Sequence, residues 1–147
     1  MHPLPDFADL PTLTTHTSGD RTFVTTGNQW ETRYGYCRGL RVGRHIELTG
    51  TLGLEADGSL SGDAAREAER SFAILLAALK ALGGSVDEVT RVTGYLDDVA
   101  NLDAVGEVFR RVFSKTESTP CFTQVAVAQL AGGGKVELEM TAICGDR

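Results

Sequence analysis

The stretch DAAREAERSFAILLAALKALGG, residues 63–84, constrains this chain more than any other. Ala68, Phe72, Leu75, Leu76, Leu79 and Leu82 recur at three- and four-residue steps, while Arg66, Glu67, Glu69 and Arg70 crowd the opposite side. That pattern predicts an amphipathic helix with one apolar face. Ser61 is its expected N-cap, Asp63 complements the positive end, and Gly83-Gly84 stops it. A second helix is expected after Asn101 as its cap, with Leu102, Val105, Val108, Phe109, Val112 and Phe113 forming a similar stripe. Two such helices need a common apolar layer to cover.

The remaining sequence supplies strands. Thr22–Thr26 reads as a short one, and Gly35–Val42 and His45–Leu52 form a hairpin about the tight Gly43-Arg44 turn. Val89–Leu96 ends at the polar pair Asp97-Asp98. Pro120–Gln129 is β-rich, and Val136–Ile143 alternates Val136, Leu138 and Met140 against Glu137, Glu139 and Thr141. These last two runs are expected to pair as a hairpin around Gly132–Gly134. The order β-β-β-α-β-α-β-β predicts an α+β sandwich, with both helices on one face of a mixed sheet. Tyr36, Leu40, Val125 and Val127 make the other face too apolar in places for plain solvent, so a second copy of the chain is expected to cover it.

At 147 residues the chain suits one domain, taken as residues 22–147, behind a Pro/Thr/Asp-rich arm over residues 1–21. Fourteen basic against twenty acidic residues give a net charge of −6, the wrong sign for gripping phosphate backbones. Nucleic acid is therefore not an expected partner. Cys37, Cys121 and Cys144 are odd in number and widely spaced, which suggests neither a disulfide framework nor a zinc site and suits a reducing cytoplasm. No run approaches the roughly 18 apolar residues of a membrane helix, and the first residues lack the pattern of a signal peptide.

Cys121 has no histidine nearby in sequence to lower its pKa, so it reads as a packed or inert thiol. Glu137 and Glu139 lie two apart on one strand and share the face away from the helices, where they are either solvated or set in an intersubunit cleft. In a cleft, a carboxylate could position water or move a proton. Tyr36 and Arg38 are expected on one face of their strand, as a cross-strand packing pair or as a phenol and guanidinium that bind an anionic, carbonyl-bearing ligand. Gly132-Gly133-Gly134 precedes a strand and not a helix, so it is a turn and not a phosphate loop.

Taken in order, "GYCRGLRVGRHIELTG", "LLAALKALGGSVDEVTRVTGYLDDV", "LDAVGEVFRRVF" and "VELEMTAI" make the chain resemble the RidA/YjgF family, also called endoribonuclease L-PSP, from about Tyr36 to Ile143. The resemblance implies a chorismate-mutase-like α+β subunit in a homotrimer, with a central β-barrel and clefts between neighbours. It also implies hydrolysis of reactive imines and enamines to the keto compound and ammonia, without metal or organic cofactor. The family's cleft Tyr falls on Tyr36, its strand-end Gly on Gly50, and its water-orienting Glu on Glu137. Its carboxylate-clamping Arg, in a Pro-x-Arg-Ser/Thr string, falls on Phe122 in Pro120-Cys121-Phe122-Thr123 and is absent. Its helix Asn falls on Gly106 and its Cys on Gln124. Losing the clamp argues for a substrate other than a simple amino-acid-derived imine, unless Arg38 replaces it. Trp30 and Glu31, shortly before Tyr36, either roof the pocket together with Phe122 or anchor the arm.

The expected function is a cytoplasmic protein that binds a small carbonyl, imine or enamine compound in intersubunit clefts and deaminates it hydrolytically. Glu137 and Tyr36 are the catalytic candidates, and Trp30, Glu31, Arg38, Gly50, Phe122, Thr123 and Gln124 the binding candidates. The alternative is a non-catalytic trimeric module for a metabolite or a protein. RNA cleavage, suggested by the family's older name, conflicts with the acidic charge.

Overall fold

The computed structural model describes residues 4–146. Within the arm, Thr14–Ser18 form strand β1 and pair antiparallel with β2, Arg21–Thr25. A short helix α1, Gln29–Tyr34, follows, then β3 (Gly39–Val42), β4 (His45–Leu52), α2 (Ala64–Ala81) and β5 (Val89–Leu96). Helix α3 (Leu102–Val112), β6 (Cys121–Ala126) and β7 (Val136–Ile143) complete one seven-stranded mixed sheet in the order β1-β2-β3-β4-β7-β5-β6. The first three residues of the arm lie outside the described residues.

Helices α2 and α3 cover one sheet face. Phe72, Leu75 and Leu79 of α2 and Val105 and Val108 of α3 meet Ile46, Leu48, Val92, Leu138 and Met140 of the sheet in one core. The strict alternation along β7 puts Val136, Leu138, Met140 and Ala142 into that core and turns Glu137, Glu139 and Thr141 to the other face. Val125 and Ile143 are exposed.

Four local expectations are corrected. β6 and β7 are not a hairpin: β6 runs parallel to β5, joined to it by the α3 crossover that parallel strands require, while β7 inserts antiparallel between β4 and β5. The cap of α2 is Asp63, whose carboxylate accepts from the Arg66 amide at 3.0 Å, because its position relative to the first turn, unlike that of Ser61, reaches the orphan N–H. Before α3, Asp98 accepts from the Ala100 amide and caps a lead-in 3-10 turn, whereas the Asn101 side chain binds Asp97. Finally, the strand expected from Gly35 begins only at Gly39. Residues 29–34 turn helical instead, with the Asn28 side chain capping Trp30 and Gly35 closing the helix at φ 75°, a conformation that suits glycine.

The polar side of α2 is also not simply solvated. Glu67 and Arg70 are fully buried, because the loop between β4 and α2 wraps over them. The Arg70 guanidinium donates twice to the Leu54 carbonyl, at 3.0 and 2.9 Å, and pairs with Asp9 and Glu55. Phe7 lies against both Arg66 and Arg70, at 4.7 and 4.9 Å, so the arm docks on this helix. Glu67 accepts the backbone amides of Gly62 and Lys135, tying the wrapping loop to the segment before β7.

Candidate functional site

Where β4 ends and β7 begins, an open cavity of about 1240 Å³ is lined by the loop after β2, helix α1, residues 54–62 and the turn before β7. Trp30, Tyr36, Arg38, Gly50 and Glu137 all face it. The residues singled out as Tyr36, Gly50 and Glu137 are thus brought together.

The floor depends on an irregularity in the sheet. Pairing between β4 and β7 shifts register between Leu48 and Thr51, so Thr49 and Gly50 form a bulge. This frees the Gly50 carbonyl to accept from Arg38 Nη1 at 2.9 Å, and Thr51 Oγ1 accepts from the same nitrogen at 3.1 Å. At Gly50 the missing side chain also matters: a Cβ there would stand 2.9 Å from Glu137 Oε1, so glycine lets the carboxylate lie against the strand.

Arg38 does not share a strand face with Tyr36, since both precede β3, yet its guanidinium lies 5.7 Å from the Tyr36 ring centre. It is also committed. Nε and Nη2 bind Glu31 at 3.1 and 3.0 Å, and both side chains are almost completely buried. Glu31 in turn accepts the amide and the hydroxyl of Thr26 at 3.0 and 2.6 Å. Glu31 therefore does not roof the pocket, because burial on the inner side of α1 turns it toward Arg38. Trp30, on the outer side, stacks nearly parallel on Tyr34 with centroids 6.1 Å apart, and both rings line the cavity.

Glu137 differs from these paired carboxylates. It is half-buried and makes no hydrogen bond or ion pair among the described residues. Burial pushes its pKa above the ordinary 4.5, opposed by the positive charge of Arg38 and reinforced by the neighbouring Glu139. Glu139 itself accepts from the Tyr95 hydroxyl at 2.7 Å.

Phe122, Thr123 and Gln124 do not line this cavity. β6 lies at the far sheet edge, so Phe122 stacks on Phe109 of α3 with centroids 3.9 Å apart, and Gln124 Nε2 donates to the Leu102 carbonyl at 3.2 Å. A Cβ at Gly106 would touch Gln124 Nε2 at 3.5 Å, so Phe122, Gln124 and Gly106 form a second cluster on the helix side, while Thr123 is exposed on the other face. Gln124 Oε1 is buried there without a hydrogen bond. Cys121 is exposed and not packed. Sequence reasoning missed Glu67, Tyr34 and the loop 54–62; the Asn28-to-Gly35 cap signals flanking α1 were the available clue to Tyr34. Among the described residues no cluster suited to a metal ion occurs, and no helix is long and apolar enough to cross a membrane.

Residues 26–144 match the family model described as Endoribonuclease L-PSP. The RutC family protein UK114 of Drosophila melanogaster is 32% identical over 128 residues, which cover 85% of this chain and 91% of that protein. The 2-iminobutanoate/2-iminopropanoate deaminase of Capra hircus is 33% identical over 112 residues, covering 75% and 80%. Among solved structures, a Mycobacterium tuberculosis member of the YjgF/YER057c/UK114 family superposes with a TM-score of 0.75 at 29% identity, over 84% of this chain and 98% of that one. With its mixed sheet, helix-covered face and matched span, this chain belongs to the endoribonuclease L-PSP family, the RidA/YjgF proteins.

Proposed function

We propose that the chain hydrolyses a small imine or enamine to the corresponding carbonyl compound and ammonia, with Glu137 orienting the attacking water. The observation that carries this is the Glu137 carboxylate: half-buried, unpaired, and facing the same cavity as Tyr36. Water adds to the C=N carbon and passes one proton to Glu137. The carboxyl returns it to the nitrogen, giving a carbinolamine; the carboxylate then takes the hydroxyl proton and passes it to the amino group as the C=O bond forms and the C–N bond breaks, releasing ammonia. Tyr36 positions the substrate. The family and the deaminases among its relatives support this reaction class. Imines generated by an oxidase, followed through ammonia release, test it. Wild type is expected to accelerate release and Glu137→Gln to abolish the acceleration; equal rates would leave a metabolite-binding module as the better description.

The assembly belongs to the same reading. On one chain, the Phe122–Gln124–Gly106 cluster and the Glu137 cavity are separate. A homotrimer in which one copy brings its β6 and α3 beside a neighbour's cavity would unite them and cover the exposed Val125 and Ile143. Light scattering is expected to give three times the 15.7 kDa chain mass. A monomer would end the intersubunit reading. A cytoplasmic setting, no cofactor, and a single domain behind an arm at residues 1–21 are part of the same proposal.

A further inference from the structure

The charges around the cavity are not equally available to a ligand. Its walls carry Arg38, Glu55, Glu67 and Glu137. Arg38 is held by Glu31, the Gly50 carbonyl and Thr51, with its side chain only 6% exposed. Glu55 is held in a two-point contact by Arg66 at 2.8 and 3.1 Å, and Glu67 by two backbone amides. Only the Glu137 carboxylate remains uncommitted among these four. A ligand carboxylate would thus meet a fixed negative charge and an Arg38 already neutralised by its own partner.

The entrance is aromatic, and the cation beside it, Arg33, stands outside the lining. Three of the chain's four Trp and Tyr side chains, Trp30, Tyr34 and Tyr36, line the cavity and are all substantially exposed. Arg33 lies over the Trp30 and Tyr34 rings at 5.7 and 5.5 Å and is not part of the lining. Flat aromatic faces receive planar apolar groups by stacking and cations through the ring quadrupole. A protonated imine, the form most open to attack by water, matches both the rings and Glu137.

We propose that the cavity takes an uncharged or cationic imine or carbonyl compound bearing a planar, apolar group, and rejects the analogue with a free carboxylate. The choice of imine chemistry rests on the deaminase reading above, whereas the charge preference rests on the lining itself. Trp30 is the chain's single tryptophan, so intrinsic fluorescence reports ligand at the rim without any turnover. In the 147-residue chain, phenylacetone and phenylpyruvate, which carry a methyl and a carboxylate respectively on the same carbonyl carbon, are titrated against this signal. Phenylacetone is expected to bind at least about tenfold more tightly, and Glu137→Gln to tighten phenylpyruvate and narrow the gap. Equal or tighter binding of phenylpyruvate, or no response to either, overturns the proposal.

Hydrolysis is measured separately with imines generated from 2-phenylethylamine by an amine oxidase and from phenylalanine by an amino-acid oxidase. Selective acceleration of the first supports both readings. A phenylacetone preference without acceleration of either imine retains the ligand class and removes the hydrolysis. Glu137-dependent acceleration that favours the imino acid does the reverse.

Discussion

Arg38 and Arg70 are both almost wholly withdrawn from water, but their charges are balanced in different ways. Arg38 faces one buried carboxylate, Glu31, so both members of the pair have lost their hydration. Arg70 leans on the Leu54 carbonyl and on two carboxylates that keep contact with solvent, Asp9 with its side chain 52% exposed and Glu55 21% exposed. Arg38 has a single paired carboxylate beside its neutral acceptors, the Gly50 carbonyl and Thr51, whereas Arg70 shares its charge between two. The contrast explains why the Arg38 side of the cavity is fixed as part of the fold, while the Arg70 side secures a docked arm and a loop.

The largest effect is expected from Glu31→Ala. It strands the Arg38 guanidinium beneath the cavity and should cost about 3–5 kcal/mol in denaturant unfolding, with Arg38→Met added to it restoring part of the loss. Arg70→Met removes both donors to Leu54 but keeps the apolar stem, for roughly 1–3 kcal/mol. Asp9→Asn should cost less than about 1 kcal/mol, because its exposed carboxylate is screened by solvent. If Glu31→Ala and Asp9→Asn proved equally costly, the contrast between the two arginines would collapse.

The smallest stability effect belongs to Glu137, and it separates the arginines in another way. A carboxyl whose folded pKa is raised contributes stability that is present below its ordinary value and lost as pH rises through the raised one. Glu137→Gln is therefore expected to melt slightly above wild type near neutrality, with the difference vanishing below the ordinary value of 4.5. The acid limb of activity should lie above that same value, since the water-orienting form is the carboxylate. Arg38 is the cation that restrains this shift, so Arg38→Met in the Glu31→Ala background should move the limb further upward. Arg70→Met should leave it in place.

Much of the fold was legible because periodicity reports which face is buried. β4, β5 and β7 run over the residues their alternation marks, and the apolar stripe of α2 lies in the core. Strand neighbours were not legible in the same way. Alternation along β7 fits any antiparallel partner, so nothing local distinguished β6 from the pair β4 and β5. Burial of Glu67 and Arg70 escaped for a similar reason: both sit on the polar side of a regular helix, and only the loop at residues 53–62 covers them. At the site, Tyr36, Gly50 and Glu137 were found through family resemblance, whereas the commitment of Arg38 to Glu31 depends on α1, a short helix between two expected strands that no periodicity marks.

The position of β7 bears on how the chain is made. β7, an interior strand, is the last of the seven in chain order, and β4 has no antiparallel neighbour on that side until Ile143 has left the ribosome. Until then the partial chain holds β4 and β5 with open edges and the apolar face of α2 half covered, a state prone to association. Completion of the core therefore waits on contacts between distant parts of the chain, which favours slow folding and a dependence on whatever shields nascent strands.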